Sequence, residues 1–248
     1  MVLLEVKDMA KAYPSFEIRD ISFTIPAGKI IGLIGKNGAG KSTTLKAILN
    51  LIPMDRGQVM MFGKEFLKEE IFCKQNLGVV LGGFDFYKEK KLRDITKVTK
   101  RFYPNWDEEA YQQYLTTFSL DPDKKVKELS AGMQVKYSIA LALSHQAKLL
   151  IFDEPTSGLD PVSRDELIAI FLQIVKNGER SILFSTHITS DLEKCADNVI
   201  YIKEGAIVGS ATKQAFIQSF QYLKTPEDLD DLSLEEIMIR MEGKRYDF

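Results

Sequence analysis

One eight-residue stretch, Gly35-Lys36-Asn37-Gly38-Ala39-Gly40-Lys41-Ser42, constrains this chain more than any other. Before it, Ile30 to Ile34 form a near-continuous apolar run, the pattern of a strand covered on both faces. After it, Lys41 to Leu51 place Leu45, Ile48 and Leu49 on one side of a helix. Strand, glycine loop and helix in that order let backbone N–H groups converge on one anion, and the spacing G-x-x-x-x-G-K-[ST] makes that anion a phosphate. Lys41 reaches the outer phosphates as a point charge, Ser42 offers its hydroxyl oxygen to Mg²⁺, and Thr43 sits in the first helical turn. The positive end of the helix adds to the field. The loop implies a nucleoside triphosphate and leaves open which machine uses it.

The surrounding pattern is α/β. Strands are expected at Val2–Val6, Phe16–Ile25, Gln58–Phe62 and Leu77–Leu81, followed by helices at about Leu92–Phe102, Asp107–Phe118 and Met133–Ser144. This is a helical insertion, about residues 83–147. Alternation then resumes with strand Leu149–Phe152, helix Pro161–Lys176, strand Ser181–Ser185, helix Thr189–Cys195 and strand Asn198–Ile202, which predicts a mostly parallel sheet. Beyond about Ala211 the chain is helix-prone, and the acidic break Thr225–Asp231 precedes a short amphipathic segment, Leu234–Met241.

Leu149-Leu150-Ile151-Phe152-Asp153-Glu154 reads as an internal strand ending in two acids, at the edge where open α/β sheets bind ligands. Successive strand residues face opposite ways, so the two carboxylates divide labour. Asp153 suits Mg²⁺ and its water shell; Glu154 suits polarising an attacking water. A solvated strand end before Pro155 is the plainer alternative, but an internal strand rarely ends in two acids without a cation.

Leu129-Ser130-Ala131-Gly132-Met133 precedes a helix 24 residues before Asp153, counting from Leu129. Taken alone it is an ordinary Ser cap, with exposed N–H groups able to hold a phosphate. Its order and spacing after the glycine loop and before the acid pair resemble the ABC ATPases, whose signature is usually Leu-Ser-Gly-Gly-Gln; Ala131 and Met133 depart from it. The resemblance runs to about residue 215. It implies an ATPase fold of the P-loop NTPase type: a mostly parallel RecA-like core, N-terminal antiparallel strands and an inserted α-helical subdomain, with residues 216–248 as a helical tail. It further implies that Leu129 to Met133 serve the ATP of a second subunit, that Asp160 in Ser157-Gly158-Leu159-Asp160 belongs to a loop crossing that interface, and that His187 after the next strand contacts the γ-phosphate. Tyr13 matches the aromatic that stacks on adenine, with Phe16 a nearby competitor. ATP binding is thereby expected at Tyr13, Gly35, Asn37, Gly38, Ala39, Gly40, Lys41, Ser42 and Thr43, catalysis at Lys41, Glu154 and His187, and metal binding at Ser42 and Asp153.

The family's usual glutamine, which contacts Mg²⁺ and senses the membrane partner, is replaced by Gly82; either Asp85 substitutes or the site works without that ligand. Arg101 to Asp107 (RFYPNWD) resembles a segment of bacterial ATPases paired with exporters of amphipathic or antimicrobial peptides, and reads equally as a turn whose aromatics pack the subdomain.

Bulk properties set the remaining bounds. The 33 Lys+Arg balance 35 Asp+Glu, so no basic field points to nucleic acid. No apolar run reaches the roughly 18 residues of a membrane span, and the first residues do not resemble a secretory signal. The expected location is the cytoplasm, peripheral at the membrane through a separate transmembrane permease, with a second ATPase subunit as the other partner. Cys73 and Cys195 lack metal-like spacing and read as packing thiols; His145 reads as a packing or capping residue. Soluble ABC proteins of translation or DNA repair share the site, but usually carry two ATPase modules or long coiled coils. A single set of motifs and no heptad tract favour the transporter. A non-hydrolysing scaffold predicts loss of Lys41 or Glu154, and both are present.

Overall fold

The computed structural model describes residues 1–81 and 87–243. It opens with β1 (Val2–Tyr13), β2 (Phe16–Pro26), β3 (Ile30–Ile34), α1 (Lys41–Ile48), β4 (Arg56–Met61), β5 (Lys64–Glu65), α2 (Glu70–Gln75) and β6 (Leu77–Leu81). The helical stretch follows as α3 (Leu92–Thr99), α4 (Glu108–Thr117) and α5 (Ala131–Ser144). The chain then alternates through β7 (Leu149–Asp153), α6 (Pro161–Val175), β8 (Ser181–Thr186), α7 (Thr189–Cys195), β9 (Asn198–Lys203), β10 (Ala206–Thr212), α8 (Lys213–Ser219) and α9 (Leu234–Glu242).

Two sheets form. A four-stranded antiparallel sheet runs β2-β1-β4-β5, and a six-stranded sheet runs β10-β9-β3-β8-β7-β6, parallel except for β10. The two-residue period of the parallel strands explains their continuous hydrophobicity. Ile31, Leu33, Leu149, Ile151 and Leu183 face the antiparallel sheet and α1; Ile30, Ile34, Leu150, Phe152, Ile182 and Phe184 face a second core on the other side. That second core takes side chains from α5 to α9, including Phe171, Leu192, Phe216, Leu234 and Ile237. Each fully buried aliphatic side chain contributes about 2 kcal/mol, so alternation specifies two layers at once.

The helical region has its own core around Leu92, Tyr111, Leu115, Leu129 and Tyr137. Thr96 Oγ1 lies 2.7 Å from Tyr111 Oη and 2.8 Å from Tyr137 Oη, and the Tyr137 hydroxyl donates to the Leu92 carbonyl at 2.9 Å. Buried hydroxyls satisfied in this way fix how α3, α4 and α5 meet.

Boundaries depart from the sequence pattern at identifiable places. β1 runs beyond Val6 to Tyr13 because register shifts between Val6 and Lys11 absorb the polar Lys7-Asp8 step, with Asp8 at φ 45°. The helix expected to reach Phe102 ends at Thr99 and closes as a 3-10 turn, Lys100–Phe102; Tyr103, preceding Pro104, is extended, as the proline requires. α5 begins at Ala131 rather than Met133, so most of the signature is already helix. β5, α2 and β10 were not anticipated.

Of the Arg101–Asp107 segment, Tyr103 and Trp106 pack against the helical region while Phe102 stays exposed. Tyr103 stacks on His145 with centroids 3.8 Å apart, Trp106 leans on Tyr111, and Trp106 N–H donates to Tyr103 carbonyl in a turn. His145 is buried as expected, and burial pushes its pKa down to about 4. Both cysteine thiols are buried and pushed up by desolvation, Cys73 to about 11 and Cys195 to about 12. Gly82 and Asp85 lie outside the described residues.

Candidate nucleotide site

β3, β8 and β7 are neighbours in the parallel sheet, and the phosphate loop, the Asp153-Glu154 pair and His187 converge at their carboxyl ends. From β3 the chain turns through Gly35 to Gly40 into α1. Gly40 holds φ 114° at the helix N-cap, where a Cβ would stand 2.8 Å from Ile18 Cγ2 and 3.1 Å from the Phe16 ring. Glycine is required by both the left-handed backbone and the close approach. The loop rests on the β9–β10 turn, where Gly205 N–H donates to the Ala39 carbonyl at 3.0 Å.

Lys41 is 5% exposed, and its ammonium is kept solvated by protein oxygen. It donates to the Gly35 carbonyl at 2.8 Å and lies 3.3 Å from Glu154 Oε1. The other Glu154 oxygen, Oε2, is 2.8 Å from His187 Nδ1. Glu154 has φ 51°, a left-handed conformation uncommon outside glycine, immediately after strand β7. Its N–H is satisfied by the Ser185 hydroxyl at 2.9 Å and the Ser185 carbonyl at 3.2 Å.

Asp153 is the last residue of β7 and has partners of its own; the left-handed turn at Glu154 puts that residue outside the strand, so the alternation expected from the sequence does not extend to it. Its Oδ1 accepts from Ser42 Oγ at 3.0 Å and from Ser185 Oγ at 2.6 Å. Ser185 is fully buried and joins both carboxylate residues, a role that the sequence pattern does not reveal although it places Ser185 at the end of a strand. The group of Ser42, Asp153 and Ser185 is a set of hard oxygen donors with one carboxylate.

A cavity of about 850 Å³ extends from the loop and includes Tyr13, Phe16, Asn37, Gly38, Lys203 and Glu242 in its lining. Tyr13 and Phe16 pair across the β1–β2 turn. Tyr13 is 43% exposed at the cavity wall, whereas the Phe16 ring packs towards Gly40. No signature residue lines this cavity. Leu129 is buried in the helical core, and Ser130 caps α5 by accepting Met133 N–H at 3.2 Å. Gly132 lies beside Leu159 and Ser163. Asp160 caps α6, accepting the N–H groups of Val162 and Ser163 at 3.0 Å each, and the Ser163 hydroxyl with these donors holds its carboxyl below the usual range. Within one chain the structure thus brings Lys41, Ser42, Asp153, Glu154 and His187 together, while Ser130 and Asp160 each cap their own helix, α5 and α6.

This fold and this loop define a P-loop ATPase, with a sheet edge carrying a buried lysine, a serine and two acids. The ABC transporter family profile matches residues 18–157, and the chain belongs to that family as an ATP-binding subunit with ATPase chemistry. Such a subunit implies a transmembrane partner. Among similar proteins, the bacitracin transport ATP-binding protein BcrA of Bacillus licheniformis is 32% identical over 209 residues, 83% of this chain and 68% of that protein. The lantibiotic transport ATP-binding protein SrtF of Streptococcus pyogenes is 34% identical over 209 residues, 83% of this chain and 89% of that protein. A solved ATP-binding subunit of an ABC transporter superposes with a TM-score of 0.83 at 28% identity, covering 97% of this chain and 99% of its own. Among the described residues no helix is long and apolar enough to cross a membrane.

Proposed function

We propose that two ATPase subunits hydrolyse ATP between them to drive a membrane permease, with the phosphate loop of one facing the signature of the other. The observation that supports this reading is that the signature sits in the helical region, with Leu129 in its core and Ser130 capping α5, while Lys41, Ser42, Asp153, Glu154 and His187 are joined to one another at the sheet edge. The triphosphate would join the two surfaces by supplying charge that both bind, and its cleavage would release them. Residues 1–215 form the ATPase domain, with the helical subdomain at about 83–147 and the tail at 216–248.

Within the site, Lys41 and the loop N–H groups bind phosphate, and Tyr13 stacks on the base. Glu154 orients and deprotonates the attacking water, while His187 holds the γ-phosphate from the other side. For this, ATP must take Lys41 from Glu154, freeing the carboxylate for water. Ser42 and Asp153 fit Mg²⁺, which favours one or two protein oxygens plus phosphates and water over a cage of carboxylates. Bound there, Mg²⁺ would neutralise developing charge on the outer phosphates.

Export of amphipathic or antimicrobial peptides is the transport reading, supported by the bacitracin and lantibiotic relatives. The subunit would then sit at the cytoplasmic face of the membrane through its permease. Purification from membranes in detergent tests this: a six-helix permease co-purifying with the chain is the expected result. Recovery only in ribosomal or soluble fractions sinks the transporter reading.

A further inference from the structure

Part of the wall of the nucleotide cavity comes from the far end of the chain. Met241, Glu242 and Gly243 line it together with Tyr13 and Asn37. The helix that delivers them is firmly seated: Leu234 and Ile237 are fully buried, and Arg240 forms two 2.6 Å bonds to Asp228 and a 2.8 Å bond to the Leu223 carbonyl. Its last turn is tied down next to the loop, where Lys203 Nζ donates to the Met241 carbonyl and Tyr201 Oη donates to Glu242 Oε1, each at 2.6 Å. Tyr201 is fully buried, and desolvation followed by the neighbouring carboxylate pushes its pKa far up, so it stays a donor. Glu242 is therefore aimed, with its second oxygen lacking a protein partner among the described residues.

A carboxylate only accepts, and the phosphates of ATP offer no donors. Phosphate binds at the loop and the base at Tyr13, which leaves the ribose between them, facing this wall. We propose that the C-terminal end of α9 is part of the ATP site, and that Glu242 accepts hydrogen bonds from the ribose hydroxyls. The proposal deepens the ATP reading of the cavity and rests on it. Dinucleotide-binding folds use an acidic residue on the ribose in the same chemical sense. Lys203 offsets the charge on this wall, and Glu204, which also lines the cavity but has no buried anchor among the described residues, serves as the control.

The test is equilibrium binding of MgATP and of 2′,3′-dideoxy-ATP to the whole chain by calorimetry. The wild type should prefer ATP by about tenfold, the scale of a hydrogen bond to a charged group. Glu242→Ala should abolish that preference by weakening ATP alone, whereas Glu204→Ala should keep it. Because Glu242→Ala also frees the end of α9, Tyr201→Phe is measured beside it; it loosens the carboxylate without removing it and should lower the preference about threefold. An unchanged preference in Glu242→Ala, or equal binding of the two nucleotides by the wild type, overturns the proposal. A wild type that binds neither overturns the ATP reading itself.

Discussion

Ser185 Oγ donates to Asp153 Oδ1 at 2.6 Å while accepting the N–H of Glu154 at 2.9 Å, so one buried hydroxyl sets both acids of the site. Ser185→Ala removes that link without touching nucleotide. Hydrolysis should fall about tenfold, and unfolding free energy should drop by about 1–3 kcal/mol, the cost of buried polar groups left short of a partner. Phosphate release and urea denaturation read the two effects separately.

Glu154→Gln keeps the size and the left-handed backbone of the residue but removes the base. Turnover should fall at least a hundredfold. ATP should now hold two chains together, visible as a dimer by light scattering after gel filtration. A variant hydrolysing at the wild-type rate would falsify the assignment of Glu154.

Ser130→Arg should abolish hydrolysis while leaving the affinity of one chain for ATP within about twofold, since Ser130 caps α5 in the helical region and bonds to none of the phosphate-loop residues among the described ones. Loss of the N-cap costs about 1 kcal/mol of helix stability, too little to unfold the chain. Retained hydrolysis would remove the shared site.

Gly205 has φ 75°, and a Cβ there would stand 1.8 Å from the Glu17 carbonyl oxygen while its N–H supports the phosphate loop. Gly205→Ala should destabilise the chain by more than about 2 kcal/mol and weaken ATP binding in step. Thermal melting with and without ATP measures both.

His145 carries the clearest pH signature. Its pKa is about 4 when folded, lowered by burial, against 6.5 unperturbed. The unfolded chain therefore binds more protons between those values, and stability falls as pH drops from 6.5 to 4. The full contribution is about 3 kcal/mol. Urea midpoints across that window should show this loss in the wild type and not in His145→Asn.

Much of the catalytic edge was legible because it is local: Gly35 to Ser42 and Leu149 to Glu154 each carry their chemistry in consecutive residues flanked by apolar strands. Boundaries were less legible where the polar stretch from Lys7 hides a bulge. β10 escaped because its residues are those of a half-exposed edge, although Glu204-Gly205, both at positive φ, marks its hairpin turn. Ser185 and Glu242 were beyond reach for another reason. Their significance comes from partners 32 and 41 positions away in the chain, which no local pattern encodes.

α5 shares its side chains between two cores: Ile139, Ala142 and Leu143 lie beneath the parallel sheet, while Tyr137, Ala140 and Leu141 belong to the helical region. Its buried half is thus a fulcrum and its Ser130 end a lever arm about 15 Å long. A tilt of roughly 10° swings that end by about 3 Å, the span of one hydrogen bond. In the shared site proposed above, a tilt of that size would make or break the contact between the signature and a phosphate.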